Sequence, residues 1–86
     1  MAFVLRITSA AQKSINKLGE RDRLRIAIVI LDITANPFDG KKLDGKHKDS
    51  YSARAWPYRI IYQIYKKELL ILMIDCERRD KVYRKR

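Results

Sequence analysis

The stretch that decides the fold is Tyr58-Arg-Ile-Ile-Tyr-Gln-Ile-Tyr65, which is followed by Lys66-Lys-Glu68 and by the apolar run Leu69-Leu-Ile-Leu-Met-Ile74. The first eight residues are rich in β-branched and aromatic side chains, and they predict a strand. Its side chains alternate, so positions 58, 60, 62 and 64 share one face and the other four share the second. The short link predicts a hairpin, and the apolar run predicts a central strand that is covered on both faces.

The regions outside this hairpin predict two more strands and a first helix. Residues 51–54 form a short strand, and residues 3–7, which are β-branched and aromatic, form the first strand of the chain. A hydroxyl of Thr8 or Ser9 can cap a helix that begins there. Gly19 suits the left-handed position at the end of that helix.

Residues 23–35 are ambiguous, because their β-branched side chains also suit a strand, but their length favours a second helix capped by Asp22. Pro37 ends it, since proline disfavours helical geometry in the residue before it. The predicted architecture of the single domain, residues 1–86, is α+β with the order β-α-α-β-β-β. Two N-terminal helices pack on a small, mainly antiparallel four-stranded sheet, part of whose opposite face stays open to hold a ligand.

The second helix carries two apolar stripes on nearly opposite sides. One stripe should face the sheet, and the other packs on the first helix or forms a ridge for a partner protein or a second copy of the chain. The first stripe consists of Leu24, Ala27, Ile28, Leu31 and Ala35. The second stripe, which we assign to partner binding, consists of Ile26, Val29, Ile30 and Ile33.

The charge points to a polyanionic partner. Twenty Lys and Arg against 10 Asp and Glu give a net charge of +10, whereas a magnitude of roughly 2–8 suffices for solubility. Nucleic acid, a ribosome, a membrane surface or an acidic protein would fit, as would a domain that is merely basic. The apolar run of residues 69–74 is far shorter than the ~20 residues that span a bilayer, so no membrane-spanning segment is expected, and we expect no membrane partner.

Several kinds of site are excluded by residue type. One histidine, His47, and one cysteine, Cys76, cannot build a usual zinc site, and the carboxylates have no spacing that demands a metal. Glycine-rich phosphate-binding motifs are absent. We therefore expect no metal and no cofactor. A single cysteine permits no internal disulfide, which fits the reducing cytoplasm, and no signal peptide is visible.

Arginine and tyrosine recur in the last third of the chain, and both suit work on RNA. The 2′-hydroxyl of RNA can attack the adjacent phosphate, which yields a 2′,3′-cyclic phosphate and a free 5′-hydroxyl without a metal. Arginine stabilises the negative charge that develops, because it is planar, bidentate and always charged. Tyrosine can hold a base by stacking.

The chain resembles the RelE-type ribosome-dependent mRNA interferases, toxins of toxin–antitoxin modules in the wider RelE/ParE superfamily. Tyr58-Arg-Ile-Ile-Tyr62 is similar to the "YR-hydrophobic-hydrophobic-Y" strand of that family. Asn36-Pro37 with Leu43-Asp-Gly45 is similar to its "NP…L-x-G" loop. The ending, with Arg78, Val82 and Tyr83, is similar to its "R…VY" motif. The resemblance covers nearly the whole chain.

The resemblance implies a catalytic set. Arg59 binds the scissile phosphate, Arg78 lies near the leaving oxygen, Tyr83 positions the nucleotide, and Arg54 contributes to the same charged site. One departure is Ser52, where family members carry a second lysine, so the general base lacks an assignment.

Glu77, beside Arg78 in the sequence, is a speculative substitute for that base. Trp56 covers an edge of the sheet or stacks on a base. Further basic side chains are expected to contact RNA or the ribosome, although those in the loop can equally be solvated charges. They are Lys41, Lys42, Lys46, Lys48, Arg79, Lys81, Arg84, Lys85 and Arg86.

The expected partners are the ribosome, mRNA and a cognate antitoxin, with a heterotetramer or higher assembly as an option. Two rival functions remain at this point. A ParE-like toxin shares the fold but acts on DNA gyrase, and its branch generally lacks the basic-plus-tyrosine ending. A non-catalytic RNA-binding or ribosome-binding domain would keep the fold without the chemistry, which the serine at position 52 favours.

Overall fold

The computed structural model of the chain describes residues 3–43 and 49–78. Two helices pack on one face of a five-stranded mixed sheet with the strand order β1-β5-β4-β3-β2. Strand β1 runs parallel to β5, and the other neighbours are antiparallel. The elements are β1 (Val4–Ile7), α1 (Ser9–Asn16), α2 (Glu20–Ala35), a 3₁₀ turn (Pro37–Asp39), β2 (Lys41–Lys42), β3 (Tyr51–Ala55), β4 (Tyr58–Tyr65) and β5 (Leu70–Arg78). The predicted α+β class is confirmed.

The prediction of four strands differs from the structure at β2. This strand has only two residues, Lys41 and Lys42, which pair with Ser52 and Tyr51 of β3. Two consecutive lysines show neither the alternation nor the β-branched content by which a strand is recognised in sequence. The pairing is imposed by the chain on either side, as the bond from the Leu43 N–H to the Ser50 carbonyl illustrates (2.9 Å).

The helix boundaries follow from capping. Thr8 adopts an extended conformation, and its hydroxyl accepts a hydrogen bond from the Ala11 N–H (3.2 Å), as predicted for the start of α1. Gly19 does not adopt the left-handed conformation that we predicted; with φ −69° and ψ 167° it is the extended N-cap of α2. Asp22 therefore lies inside the first turn of α2, where a carboxylate complements the helix dipole.

The second apolar stripe of α2 faces the sheet, so Ile26 and Ile33 are core residues and not part of the predicted partner-binding ridge. Ile26 and Ile33 are buried in the core, while Val29 and Ile30 are partly buried and pack against it. A residue that fills the core cannot also present a ridge to a partner. The exposed stripe is the other one, with Leu24, Ile28 and Leu31.

A β-bulge in β5 divides the strand into two halves that present their side chains differently. Ile61 lies opposite Asp75, but the next residue, Tyr62, lies opposite Met73, so Ile74 has no partner in the ladder. A carboxylate oxygen of Asp75 accepts from the Cys76 N–H at the bulge (2.7 Å). The extra residue moves every later side chain of β5 to the other face.

The positions buried in the core show the effect of the bulge. They are Ile71, Met73 and then Cys76, with a spacing of three where uninterrupted alternation would give two. Consequently Glu77 faces away from the helices and Arg78 faces the helix side. We predicted that the last strand ends at position 74; the structure extends it to Arg78.

Tyr62 ties the sheet to the segment that follows α2. Its ring stacks on Tyr51, with centroids 5.8 Å apart, and its hydroxyl donates to the Pro37 carbonyl (2.7 Å). Gly40 passes so close that a Cβ there would collide with the Tyr62 hydroxyl and lie 2.9 Å from the Ser52 carbonyl. The edge of the sheet near the candidate site is therefore fixed by close packing.

Candidate nucleic-acid site

Two of the predicted catalytic arginines lie side by side on the open face of the sheet, which is the face away from the helices. Arg54 of β3 is directly opposite Arg59 of β4 in the antiparallel ladder. Together with Lys41 and Ser52 they line a cavity of about 190 Å³. Two like charges directly opposite each other are destabilising in a sheet. Their convergence is typical of a site that binds an anion.

Arg59 is held in place by Glu77, its neighbour on β5. The Arg59 guanidinium donates to a Glu77 carboxylate oxygen at 3.1 Å, and both side chains keep a little over a quarter of their surface exposed (29% and 27%). The Nε atom of Arg59 is buried and has no hydrogen-bond partner among the residues that the structure describes. Leaving a buried donor unpaired costs free energy, and the Glu77 carboxylate reaches only the Nη2 end of the guanidinium.

Arg78 does not lie beside this pair, so the structure does not bring all of the predicted catalytic arginines together; its place near the leaving oxygen stays a prediction. It lies opposite Tyr58 in the β4–β5 ladder, and its guanidinium carbon lies 5.7 Å from the centroid of the Tyr58 ring. The physical reason is the bulge at Ile74, because an unbroken alternation from Met73 would have put position 78 on the open face.

Glu77 takes the place on the open face that we expected Arg78 to occupy. The resemblance gives it no role, and only its place in the sequence suggested it as a substitute base. The signal that could have identified it is the polar run from Asp75, which breaks the apolar pattern of β5. That signal does not reveal the extra residue, so the face of each side chain could not be read from it.

The other predicted contacts divide into two groups. Lys41 and Lys42 are exposed on β2, and Lys41 lines the cavity beside Arg54. The remaining predicted residues lie outside the part of the chain that the structure describes, and their roles stay predictions. They are Lys46, Lys48, Arg79, Lys81, Tyr83, Arg84, Lys85 and Arg86.

A larger cavity of about 440 Å³ adjoins the first one at the β3 edge of the sheet. The two share Lys41, Ser52 and Arg54, so they form one continuous surface. Its far wall is acidic, with Asp32 of α2 and Asp39 of the 3₁₀ turn. The two cavities thus form one depression, whose lining is basic at Arg54 and Arg59 and acidic toward α2.

Three ionisable groups on the helix face of the sheet are held in their neutral forms. Burial raises the pKa of the Cys76 thiol to about 11, with the nearby Asp75 and Glu77 carboxylates adding to it. Burial likewise raises the pKa of Tyr62 to about 12. The pKa of Tyr58 is raised by burial and by its hydrogen bond to Asp22, whose carboxylate accepts from the hydroxyl at 3.0 Å. These three groups keep their protons at neutral pH.

Comparison with known proteins identifies the family. Residues 5–81 match the family described as the ParE toxin of the type II toxin–antitoxin system parDE. The chain belongs to the ParE toxin family. It is a toxin of a type II toxin–antitoxin system and a member of the RelE/ParE superfamily, as predicted. No curated protein sequence is detectably similar to this toxin.

Solved structures of RelE toxins share the fold of this toxin. The RelBE2 toxin–antitoxin complex from Mycobacterium tuberculosis matches with a TM-score of 0.84 and 23% identity over 92% of this chain and 100% of the other. The archaeal RelE–RelB complex from Pyrococcus horikoshii matches with a TM-score of 0.78 and 25% identity over 92% of this chain and 97% of the other. The isolated E. coli RelE toxin matches with a TM-score of 0.75 and 25% identity over 96% of this chain and 92% of the other.

The described residues, 3–43 and 49–78, contain no group of three or more His, Cys, Asp or Glu side chains placed to hold a metal ion. Their helices include none that is both long enough and apolar enough to cross a bilayer.

Proposed function

We propose that this toxin is an endoribonuclease that cleaves mRNA on the ribosome, in the cytoplasm, by attack of the 2′-hydroxyl on the adjacent phosphate. The observation that carries the proposal is the pair Arg54 and Arg59, opposite each other on the open face, with the Glu77 carboxylate 3.1 Å from the Arg59 guanidinium. This places anion-binding groups and a proton acceptor within one small area. The solved RelE toxin structures, which are 23–25% identical to this chain, have the same fold, and this likeness supports the proposal.

The chemistry divides between the three side chains. Arg59 and Arg54 bind the non-bridging phosphate oxygens and stabilise the charge that develops on them, as preorganised donors do. Glu77 accepts the proton of the 2′-hydroxyl while the 2′-oxygen of the RNA forms its bond to phosphorus. The bond from phosphorus to the 5′ oxygen breaks, and that oxygen takes a proton from solvent. Arginine itself cannot supply the proton, because it stays charged in proteins.

The roles of the other predicted residues change accordingly. Arg78 lies over the Tyr58 ring on the helix side, so we assign it to positioning the end of β5, which carries Glu77. Tyr83 keeps its predicted role in holding the nucleotide. Serine at position 52 supplies no charge, and in this proposal the carboxylate of Glu77 removes the need for a lysine base there.

We also propose a cognate antitoxin as the protein partner. The RelE toxins of M. tuberculosis and P. horikoshii were crystallised in complexes with their antitoxins. An acidic segment of the antitoxin would neutralise the open face by covering Arg54 and Arg59. Assembly into a heterotetramer or a larger complex is part of the same proposal.

The proposal is tested by primer extension on an mRNA that is being translated, with and without the purified toxin. Cleavage should require ribosomes and leave a 2′,3′-cyclic phosphate and a 5′-hydroxyl. Replacing Glu77 by glutamine removes the proton acceptor but keeps the shape of the side chain. We expect Glu77→Gln to lower the cleavage rate about 10²–10⁴-fold, the usual contribution of a general base.

The matched control is Arg6→Ala. Arg6 is an exposed arginine on β1, two strands away from β4 in the sheet, and its loss changes the net charge without touching the cavity. Its cleavage rate should equal that of the wild type. Intact mRNA in the presence of folded wild-type toxin would end the nuclease proposal.

A second candidate function is inhibition of DNA gyrase, which the match of residues 5–81 to the ParE family favours. Such a toxin binds the topoisomerase and needs no proton acceptor. A supercoiling assay separates the two: loss of supercoiling with mRNA left intact, and with Glu77→Gln as potent as the wild type, supports the gyrase alternative.

A further inference from the structure

The only tryptophan of the toxin, Trp56, lies in the turn between β3 and β4 with 54% of its surface exposed. No part of the described core uses it, since the core cluster and the residues packed against it do not include this ring. A single exposed apolar side chain is ordinary in a soluble protein. What distinguishes Trp56 is the combination of its fixed backbone and its charged neighbours.

The turn that carries Trp56 is held from two sides. Arg25 of α2 donates from Nη1 to the Trp56 carbonyl at 2.8 Å. On either side of the turn, Ala55 and Tyr58 close the β3–β4 ladder, and Tyr58 is tied to Asp22 of α2 at 3.0 Å. The backbone beneath the ring is therefore fixed relative to both the sheet and the helix, which lowers the entropic cost of using it as a binding surface.

Arginines surround this turn, and the nearby carboxylates are already engaged. Arg54 and Arg59 pair in the β3–β4 ladder beside the turn. From the helix side, Arg25 of α2 contacts the turn, and Arg78 of β5 lies opposite Tyr58. Of the two neighbouring acids, Asp22 accepts from the Tyr58 hydroxyl and Glu77 accepts from Arg59. Four positive charges against two negative ones leave this end of the sheet basic, which favours a phosphate backbone.

The distance from Trp56 to the charged site suits one nucleotide. Arg54 is two residues before Trp56, so their Cα atoms are at most about 7 Å apart. A phosphate bound at Arg54 therefore leaves an adjoining base within reach of the tryptophan ring. Proteins that bind single strands combine a basic groove with aromatic rings on which bases stack.

We propose that Trp56 is a stacking platform for a base of single-stranded RNA, next to the nucleotide whose phosphate binds at Arg54 and Arg59. The inference rests on the proposed function for the identity of the ligand, but binding requires no cleavage. It assigns to the toxin a determinant of substrate binding in the turn between β3 and β4, outside the catalytic set.

The test uses Trp56 as its own reporter and a 2′-O-methyl oligoribonucleotide, which lacks the attacking hydroxyl and cannot be cleaved. Titration into the full-length toxin should quench the tryptophan emission to a plateau and protect the ring from acrylamide. Unchanged emission together with unchanged acrylamide access at saturating oligonucleotide would overturn the inference. Tighter binding of duplex DNA than of this single strand would overturn it too.

Affinity is measured separately by the anisotropy of the labelled oligonucleotide. Trp56→Ala should weaken binding about 5- to 150-fold, the range expected for the loss of one stacked base. Trp56→Phe should recover most of the loss, because phenylalanine keeps an aromatic face. If Trp56→Ala does not fold, the phenylalanine variant and the wild-type quenching still decide the question.

Two controls separate stacking from charge. Tyr65, an exposed aromatic residue (40%) at the opposite end of β4, serves as the matched site, and Tyr65→Ala should bind like the wild type. Trp56→Ala should keep the salt dependence of binding, whereas Arg54→Ala should reduce its slope by about 0.7, the value for one phosphate contact on a single strand. Affinity of Trp56→Ala within twofold of the wild type overturns the inference, whether or not the wild type cleaves mRNA.

Discussion

The two faces of the sheet differ in the burial of their ionisable groups and in the charge that these groups carry. On the helix face, burial raises the pKa of Tyr62 to about 12 and that of Cys76 to about 11, so both stay neutral. On the open face, Arg59 and Glu77 form a partly exposed ion pair, and Arg54 adds a further positive charge beside it. The contrast places the partly exposed charged cluster on the side that the helices leave uncovered.

This division depends on one inserted residue. Before Ile74, strand β5 sends Ile71 and Met73 into the core; after it, Cys76 takes the core position. Without the bulge, Glu77 would point toward the helices, where a carboxylate would be costly. The ion pair with Arg59 would then be impossible.

A large effect on the cleavage rate tests whether the two faces differ in catalysis. Arg59→Ala removes the main phosphate ligand on the open face and should lower the rate of mRNA cleavage about 10²–10³-fold. Arg78→Ala, on the other face, should lower it less than about tenfold, since its guanidinium lies over the Tyr58 ring and not beside Arg54 and Arg59. Single-turnover cleavage on stalled ribosomes measures both. Equal losses would mean that the division between the faces is wrong.

A second effect tests how the helix face is covered. Ile26→Ala opens a cavity between α2 and the sheet and should reduce the free energy of unfolding by about 2–5 kcal/mol. Leu31→Ala, on the exposed stripe of the same helix (70% exposed), should change it by less than about 0.5 kcal/mol. Urea denaturation followed by circular dichroism measures both. Similar losses would contradict the orientation of α2.

The smallest effect concerns pH. The pKa of Cys76 is raised in the folded toxin to about 11 from an ordinary value of 9.0, so the folded state holds this proton more tightly than the unfolded state. Its contribution is complete below pH 9 and is lost as the pH rises through 11. At pH 11 the wild type should have lost about 2 kcal/mol more than Cys76→Ala, relative to pH 8.

Denaturant unfolding of the two proteins from pH 8 to pH 11 measures this difference. Tyr62 titrates in both proteins, so its own contribution cancels in the comparison. Parallel pH profiles for the two proteins would show that burial does not hold the thiol proton.

Sequence patterns predicted the fold because most elements carry their own local signal. The alternation of residues 58–65, the cap at Thr8 and the stop at Pro37 each depend on neighbours within a few positions, and each agrees with the structure. The pairing of Arg54 with Arg59 belongs to the neighbouring β3–β4 ladder, and only the family resemblance implied that the two share a charged site.

What could not be predicted depends on contacts between distant residues. The bulge at Ile74 lies in a run that is apolar on both faces, so no alternation marks it. The two stripes of α2 are similarly apolar, and only packing on β3 decides that the stripe with Ile26 is buried. From the sequence, Gly19 could end the first helix or begin the second. In the structure it is the N-cap of α2.

The parallel pairing of β1 with β5 has a consequence for synthesis. The Val4 N–H donates to the Leu69 carbonyl and the Thr8 N–H to the Met73 carbonyl, across more than sixty residues of chain. Strand β5 is also an inner strand of the sheet, and it joins β1 to β4. A nascent chain released before Leu70 thus lacks the strand that connects β1 to the rest of the sheet, and long-range pairing of this kind forms slowly. The complete sheet of the toxin can therefore form only after nearly all of the polypeptide has been made.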